Sequence, residues 1–225
     1  LPLIYWSIDR RLGHWLLVVL SLALFVLIGS KELFERPRPY IFAPDEVQLL
    51  ISEADGFGFP SGHVGLTMAL WGFVALWGGR RWGYVLLETY VLGMAWARMY
   101  GGVHFPQDVI GGFVLGGAVA GCIYAGRQPL ATLGMRIPPV GWIVILIIGS
   151  AVMAALLVND DAGVSGAGIL LGGGLGTLLN NRTNSFTTTG SVSQRALRFS
   201  LGTIITVTTF IVLDFVFEPL SPEPV

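Results

Sequence analysis

The sequence predicts an all-α, polytopic transmembrane helix bundle, and three observations carry that prediction. Hydrophobic residues make up 53% of the 225 positions and charged residues 12%, with a mean hydropathy of +0.71; a soluble domain carries about a quarter charged residues. Seven stretches approach the roughly 20 apolar residues that a helix needs to cross the hydrocarbon core. The basic residues are shared unequally between alternate loops. A soluble domain is excluded, and the formal net charge of −1 gives no reason to expect a nucleic-acid partner.

The seven stretches are Leu12–Ser30, Val64–Gly78, Trp82–Ala97, Phe105–Ala125, Gly141–Val158, Ser165–Leu179 and Phe199–Phe217. Only helices and closed barrels satisfy their backbone in lipid, and continuous apolar runs without alternation favour helices. The second and sixth are short and rich in glycine, which suits close helix packing. Leu1–Trp6 reads as the tail of a preceding span, so upstream sequence is expected. The single cysteine, Cys122, lies in an apolar run and reads as a small core residue.

If each stretch crosses the membrane, one side receives Arg10, Arg11, Arg80, Arg81, Arg127, Arg136, Arg182, Arg195 and Arg198. The other receives Lys31, Arg36, Arg38 and Arg98, together with the acids Asp45, Glu46, Glu53, Asp55, Asp160 and Asp161. The positive-inside rule places the nine basic residues in the cytoplasm. Three polar stretches then face the opposite side: Lys31–Pro60, Arg98–His104 and the short Asn159–Val164 loop. The Ser-, Thr- and Asn-rich segment from Asn180 to Arg198 reads as a flexible cytoplasmic connector. Its Asn181-Arg182-Thr183 acceptor pattern therefore lies on the wrong side for glycosylation.

The basic residues on the outer face need a reason to be there. Lys31 is followed by Arg38-Pro39, then by Pro60-Ser61-Gly62-His63 directly before a span. Arg98 is followed by His104 and Asp108 at the start of the next. All three groups lie at the same end of their helices and can converge at one membrane face. Lys31, Arg38 and Arg98 supply three cations, two of them with forks suited to bidentate phosphate contact. Ser61 offers a hydroxyl donor, and Gly62 lets its N–H approach an anion at a helix start. The result is an oxyanion cradle that needs no metal.

His104 and Asp108 are four residues apart, which predicts that they share a helical face, with Pro106 in the first turn. Asp108 can then hold one ring nitrogen and leave the other free to attack phosphorus. His63 is suited to protonate the departing alkoxide. Taken singly, each residue has a plain structural role open to it: Lys31 and Arg38 as interfacial anchors, Ser61 as a helix cap, and His104 with Asp108 as a helix-start pair. Two of only three histidines fall in these segments, however, and that shifts the balance toward chemistry. His14 reads as interfacial; Glu35, Arg36, Asp45 and Asp55 read as solvated loop charges.

At these residues the sequence resembles the type 2 phosphatidic acid phosphatase superfamily, which also includes bacterial non-specific acid phosphatases, glucose-6-phosphatase and vanadium haloperoxidases. The family pattern K-x6-R-P, P-S-G-H and S-R-x5-H-x3-D is met in order by Lys31 with Arg38-Pro39, by Pro60 to His63, and by Arg98, His104 and Asp108. The resemblance implies that Lys31, Arg38, Ser61, Gly62 and Arg98 bind phosphate. It also implies that His104 forms a phosphohistidine, Asp108 orients it and His63 protonates the leaving group. One departure is Ala97, where the family has serine.

The resemblance covers residues 1–126, which are expected to form a phosphatase core lacking upstream spans; residues 127–225 form a C-terminal transmembrane extension of unassigned role. The expected function is metal-independent release of phosphate from a membrane lipid phosphate or diphosphate, on the extracytoplasmic face, with no cofactor. Transfer to an alcohol acceptor, vanadate-dependent halide oxidation, and non-enzymatic lipid-phosphate binding or transport are the alternatives. For transport, only Glu88 and Asp214 place charge inside expected spans. Composition does not assign an oligomeric state.

Overall fold

The structure, a computed structural model, describes residues 1–51, 56–158, 160–183 and 187–217. Glu53, Asp55 and Asn159, and the side chains of Arg182 and Asp214, lie outside the described residues. After a π-helical turn at Ile4–Ile8 come α1 (Arg10–Phe34), α2 (Pro39–Phe42), α3 (Gly62–Gly78), α4 (Arg81–Tyr100), α5 (Pro106–Arg136), α6 (Pro139–Leu156), α7 (Asp161–Thr183) and α8 (Val192–Phe217). The protein is an all-α, multi-pass membrane protein, and each of the seven expected spans coincides with a helix.

Among the described residues, five helical segments are long and apolar enough to cross a bilayer: Arg10–Phe42, Pro106–Arg136, Pro139–Leu156, Asp161–Asn180 and Val192–Val212. Helix α3 is apolar but only 17 residues long. Helix α4 is diluted by Arg81, Glu88 and Arg98. On α4, exposed Trp82 marks one end and the stacked pair Trp96–Tyr100, 4.9 Å between centroids, marks the other. Aromatic residues at both ends of a helix are the pattern of interfacial belts.

Local chemistry explains most helix ends. Asp9 Oδ1 accepts from the N–H groups of Arg11 and Leu12, at 2.8 and 3.0 Å, and starts α1. Pro106 and Pro139 stand at helix starts, where their missing N–H costs nothing. Gly79 ends α3 in the left-handed conformation, at φ 61°, its N–H returning to the Ala75 carbonyl. Two expectations are corrected here. Helix α5 does not stop at Ala125 but continues through Pro129 to Arg136; the one donor that proline removes is tolerable where the helix emerges toward water. The segment read as a connector from Asn180 is helical through Thr183 and again from Val192.

The chain packs as two compact units, one of Leu16–Thr183 and one of Leu1–Trp15 with Asn184–Val225. In the smaller unit, Ser7 donates its hydroxyl to the Arg195 carbonyl at 2.9 Å. Gly202 leaves room for the ring of Trp6. In the larger unit, α3, α4 and α5 share a core of Val64, Ala75, Leu87, Val91, Ala95 and Val109. Helices α1, α6 and α7 share a second core of Leu24, Ile28, Met153, Leu157 and Ala167.

Helices α3 and α5 approach each other backbone to backbone. A Cβ on Gly112 would lie 2.5 Å from the Ser61 carbonyl oxygen and 3.1 Å from the Gly65 nitrogen. Gly116 faces the Gly65 backbone in the same way. Backbone cannot swing aside as a side chain can, so Gly112→Ala is expected to destabilise the protein by about 1–3 kcal/mol. Gly121→Ala is the control, since a Cβ there meets nothing within 4 Å. Thermal unfolding in detergent checks it: equal Tm values for the two variants would refute this tight packing.

Candidate active site

The site forms where helix ends meet within the larger unit. Lys31 stands in the last turn of α1 and donates from Nζ to the Phe57 carbonyl at 3.1 Å. Arg38 is the N-cap residue of α2 and is buried at 3% exposure. Its Nε donates to the Gly56 carbonyl at 3.0 Å and its Nη1 to the Val103 carbonyl at 3.2 Å. That same Nη1 lies 3.5 Å from His104 Nε2. Carbonyls from two loops therefore aim the guanidinium at the histidine.

Ser61 is the N-cap residue of α3, yet its hydroxyl makes no cap hydrogen bond. Its backbone N–H donates to the Asp108 carbonyl at 2.8 Å, joining the second motif to the third. Gly62 opens the helix, and a Cβ there would meet only Lys31 Cε, at 3.9 Å; the space above it faces the lysine. His63 is exposed on the first turn, within electrostatic reach of Arg98, His104, Lys31 and Arg38. Arg98 lies in the last turn of α4, and its carbonyl accepts from Val103 N–H at 3.3 Å.

His104 and Asp108 are both buried, at 3% and 1% exposure, with Nδ1 and Oδ2 3.6 Å apart. The expectation that the two share a helical face is corrected: α5 begins at Pro106, and His104 precedes it. The pairing comes from the helix start instead. Asp108, at the third helical position, accepts the Phe105 N–H on Oδ2 at 2.8 Å, which folds the chain back and brings His104 beside the carboxylate. Burial pushes the His104 pKa down. The Asp108 carboxylate beside the ring opposes that, while Arg38 and Lys31 reinforce it. The ring is thus favoured in its neutral form, with Asp108 at Nδ1 and Nε2 turned toward Arg38.

The structure brings Lys31, Arg38, Ser61, His104 and Asp108 together through direct contacts or shared loops, with Arg98 and His63 at the margin. Two buried polar atoms of this group, Ser61 Oγ and Arg98 Nε, have no hydrogen-bond partner among the described residues, whereas His104 Nδ1 has the Asp108 carboxylate 3.6 Å away. Leaving such a group unpaired costs about 1–3 kcal/mol. Ala97, at the family's serine position, is exposed on α4.

Sequence reasoning missed the supports. A Cβ on Gly58 would lie 3.3 Å from Asp108 Oδ2 and 3.2 Å from the Pro37 carbonyl oxygen; glycine there lets the loop close over the aspartate. Gly102 adopts φ 76°, and a Cβ on it would come within 2.6 Å of the Gln48 carbonyl oxygen. Leu50 N–H donates to the Gly101 carbonyl at 3.2 Å, so residues 47–50 brace the turn before His104. The Gly101-Gly102 pair next to the third motif was the available signal.

A multi-pass helical membrane protein with a preformed cationic cradle around a buried histidine–aspartate pair is the class these features define. The chain belongs to the PAP2 superfamily, which it matches over residues 13–131. Residues 164–224 match a second family, described as the PAP2 superfamily phosphatase, transmembrane extension.

Among curated relatives, the decaprenylphosphoryl-5-phosphoribose phosphatase of Mycobacterium tuberculosis is 34% identical over 129 residues, covering 54% of this chain and 68% of that protein. The undecaprenyl-diphosphatase of Sulfolobus acidocaldarius is 28% identical over 116 residues, 51% of this chain and 54% of that one. Sphingosine-1-phosphate phosphatase 1 of Mus musculus is 27% identical over 121 residues, 50% and 27% respectively. The chain thus spans about half the length, or less, of several relatives it matches. No solved structure matches it.

Proposed function

We propose that this protein is a lipid phosphatase that removes phosphate from a membrane lipid phosphate or diphosphate through a phosphohistidine at His104. The observation that carries the reading is the pair of buried polar atoms, Ser61 Oγ and Arg98 Nε, that have no hydrogen-bond partner among the described residues, in the site that also holds Lys31 and Arg38. Phosphate oxygens would satisfy them. The relatives' names, all lipid phosphatases or diphosphatases, support a lipid substrate.

In the first step His104 Nε2 attacks phosphorus in line, the N–P bond forms and the P–O bond to the lipid breaks. Lys31, Arg38, Arg98, Ser61 Oγ and the Gly62 N–H stabilise the equatorial oxygens as their charge redistributes. Asp108 stabilises the imidazolium at Nδ1. His63, exposed toward the incoming group, gives its proton to the lipid oxygen. Water then attacks phosphorus and gives its proton to His63. The N–P bond breaks, and inorganic phosphate and neutral His104 are regenerated.

The headgroup reaches the site from the membrane surface while the tail stays in the bilayer. The uneven division of basic residues supports an extracytoplasmic site. Residues 1–126 form the phosphatase core in this reading, and residues 127–225 its transmembrane extension. Three cations around the histidines would repel a divalent ion, so turnover in detergent is expected to persist in excess EDTA. Phosphate release from prenyl diphosphate, sphingoid phosphate and phosphatidic acid tests the reading. No release from any of them by folded protein refutes the phosphatase; release that EDTA abolishes and a divalent ion restores refutes metal independence.

A further inference from the structure

We propose that the smaller unit holds one anionic phospholipid of the bilayer, with its phosphate at Arg198 and an acyl chain in the cavity beside it. The proposal goes beyond the phosphatase reading and does not depend on it. It gives a ligand to α8, which lies in the transmembrane extension.

The cavity has a volume of about 420 Å³ and is lined by Trp6, Arg198, Gly202, Ile205 and Thr206. That is within the roughly 300–1,000 Å³ of small-molecule sites. Four of the five lining residues are on α8, at a spacing that keeps them on one face. Trp6 closes the other side. A Cβ on Gly202 would come within 2.6 Å of the indole, so glycine lets the ring lie against the helix. Arg198 and Ile205 are about 10 Å apart along the axis. The lining therefore passes from a guanidinium to an exposed aliphatic side chain within a segment long and apolar enough to cross a bilayer.

The charge is held in place but not balanced. Arg198 Nη2 donates to the Thr188 and Thr189 carbonyls at 3.2 and 3.1 Å, and Nη1 donates to the Thr187 carbonyl. Its Nε has no hydrogen-bond partner among the described residues. Neutral carbonyls fix a guanidinium without cancelling its charge. The Ser7–Arg195 hydrogen bond ties this end of α8 to the turn that precedes Arg10 and Arg11. Against these four arginines, Asp9 is the one acid among the unit's described side chains, and its Oδ1 accepts two N–H groups at the start of α1. A basic pocket of this kind on a membrane-spanning helix suits the phosphate of an anionic lipid, and an indole beside it suits the headgroup region. A zwitterionic lipid would bring its own cation to the arginines.

Native mass spectrometry of the full chain in detergent, titrated with phosphatidylglycerol or phosphatidylcholine, gives a Kd for each lipid. Phosphatidylglycerol is expected to bind at least about fivefold more tightly, the effect of one arginine at a membrane surface. Arg198→Gln is expected to weaken phosphatidylglycerol about 5- to 10-fold and phosphatidylcholine less than about twofold. Because Arg198 also holds the Thr187, Thr188 and Thr189 carbonyls, a second variant leaves it intact. Thr206→Phe fills the cavity from an exposed position and is expected to weaken both lipids at least about fivefold, through lost acyl-chain burial. Arg81→Gln removes an exposed arginine of the larger unit and is expected to change neither Kd more than about twofold.

Equal affinity of the wild type for the two lipids overturns the site. So does phosphatidylglycerol binding within about twofold of wild type in folded Arg198→Gln or Thr206→Phe, the result expected if the lipid sits at the cradle around His104 instead. Equal loss in Arg81→Gln assigns the effect to the general field of the basic residues and overturns the site as well. Turnover is not read, so failure of the phosphatase reading would leave these outcomes unchanged.

Discussion

Replacing His104 by alanine is expected to lower lipid phosphate turnover by at least about 10³-fold, the scale seen when a covalent nucleophile is removed. The ring is buried, and its Nε2 lies 3.5 Å from an arginine nitrogen fixed by the Val103 carbonyl, so it faces the guanidinium that would hold the phosphate. Phosphate binding should survive to within about tenfold, because Lys31, Arg38, Arg98 and Ser61 keep their charges and donors. The measurement pairs phosphate release with equilibrium binding of inorganic phosphate. Turnover within tenfold of wild type would remove His104 from the mechanism; loss of binding together with loss of folding would instead assign it a structural role.

Asp108→Asn is expected to cost about 10²–10³-fold in kcat/KM, since a neutral amide neither holds the tautomer nor stabilises the imidazolium. Asparagine can still accept the Phe105 N–H now taken by Oδ2, so the start of α5 is expected to persist and Tm to change little. The pH profile supplies an independent readout. Burial and the neighbouring cations hold the His104 pKa below its ordinary value, and Asp108 pulls it upward. His104 attacks as the neutral ring, so activity is present above its pKa and falls as pH drops through it. The acid limb of wild-type kcat/KM is therefore expected below about pH 6.5, and in Asp108→Asn it should move lower still. An acid limb above that value, or a shift to higher pH in the variant, contradicts the proposed pairing.

The membrane class was legible because hydropathy is a local property. Seven apolar runs could be counted along the chain, and each met a helix. Their limits were less legible. Helix α5 runs to Arg136 past a proline, and α7 to Thr183 through polar residues, because a helix emerging from lipid continues as long as water can satisfy its outer groups. The candidate site was legible as residue types, since cations, a hydroxyl and histidines at these fixed spacings suit phosphate chemistry and little else. The pairing of His104 with Asp108 was anticipated from spacing, but for the wrong local reason: the aspartate reaches back over a helix start rather than along a helical turn.

By itself, the sequence determined composition, periodicity and the order of the motifs, and these were enough for the membrane class, the approximate spans and the chemistry the outer-face residues can perform. Only the tertiary structure decided which groups support them. The carbonyls of Gly56, Phe57 and Val103 aim two of the cations, and Gly58 makes room over Asp108. Every residue has a carbonyl, so nothing in the sequence marks these three. They acquire their roles when close-packed helices with few tolerated contacts bring distant backbone to one point.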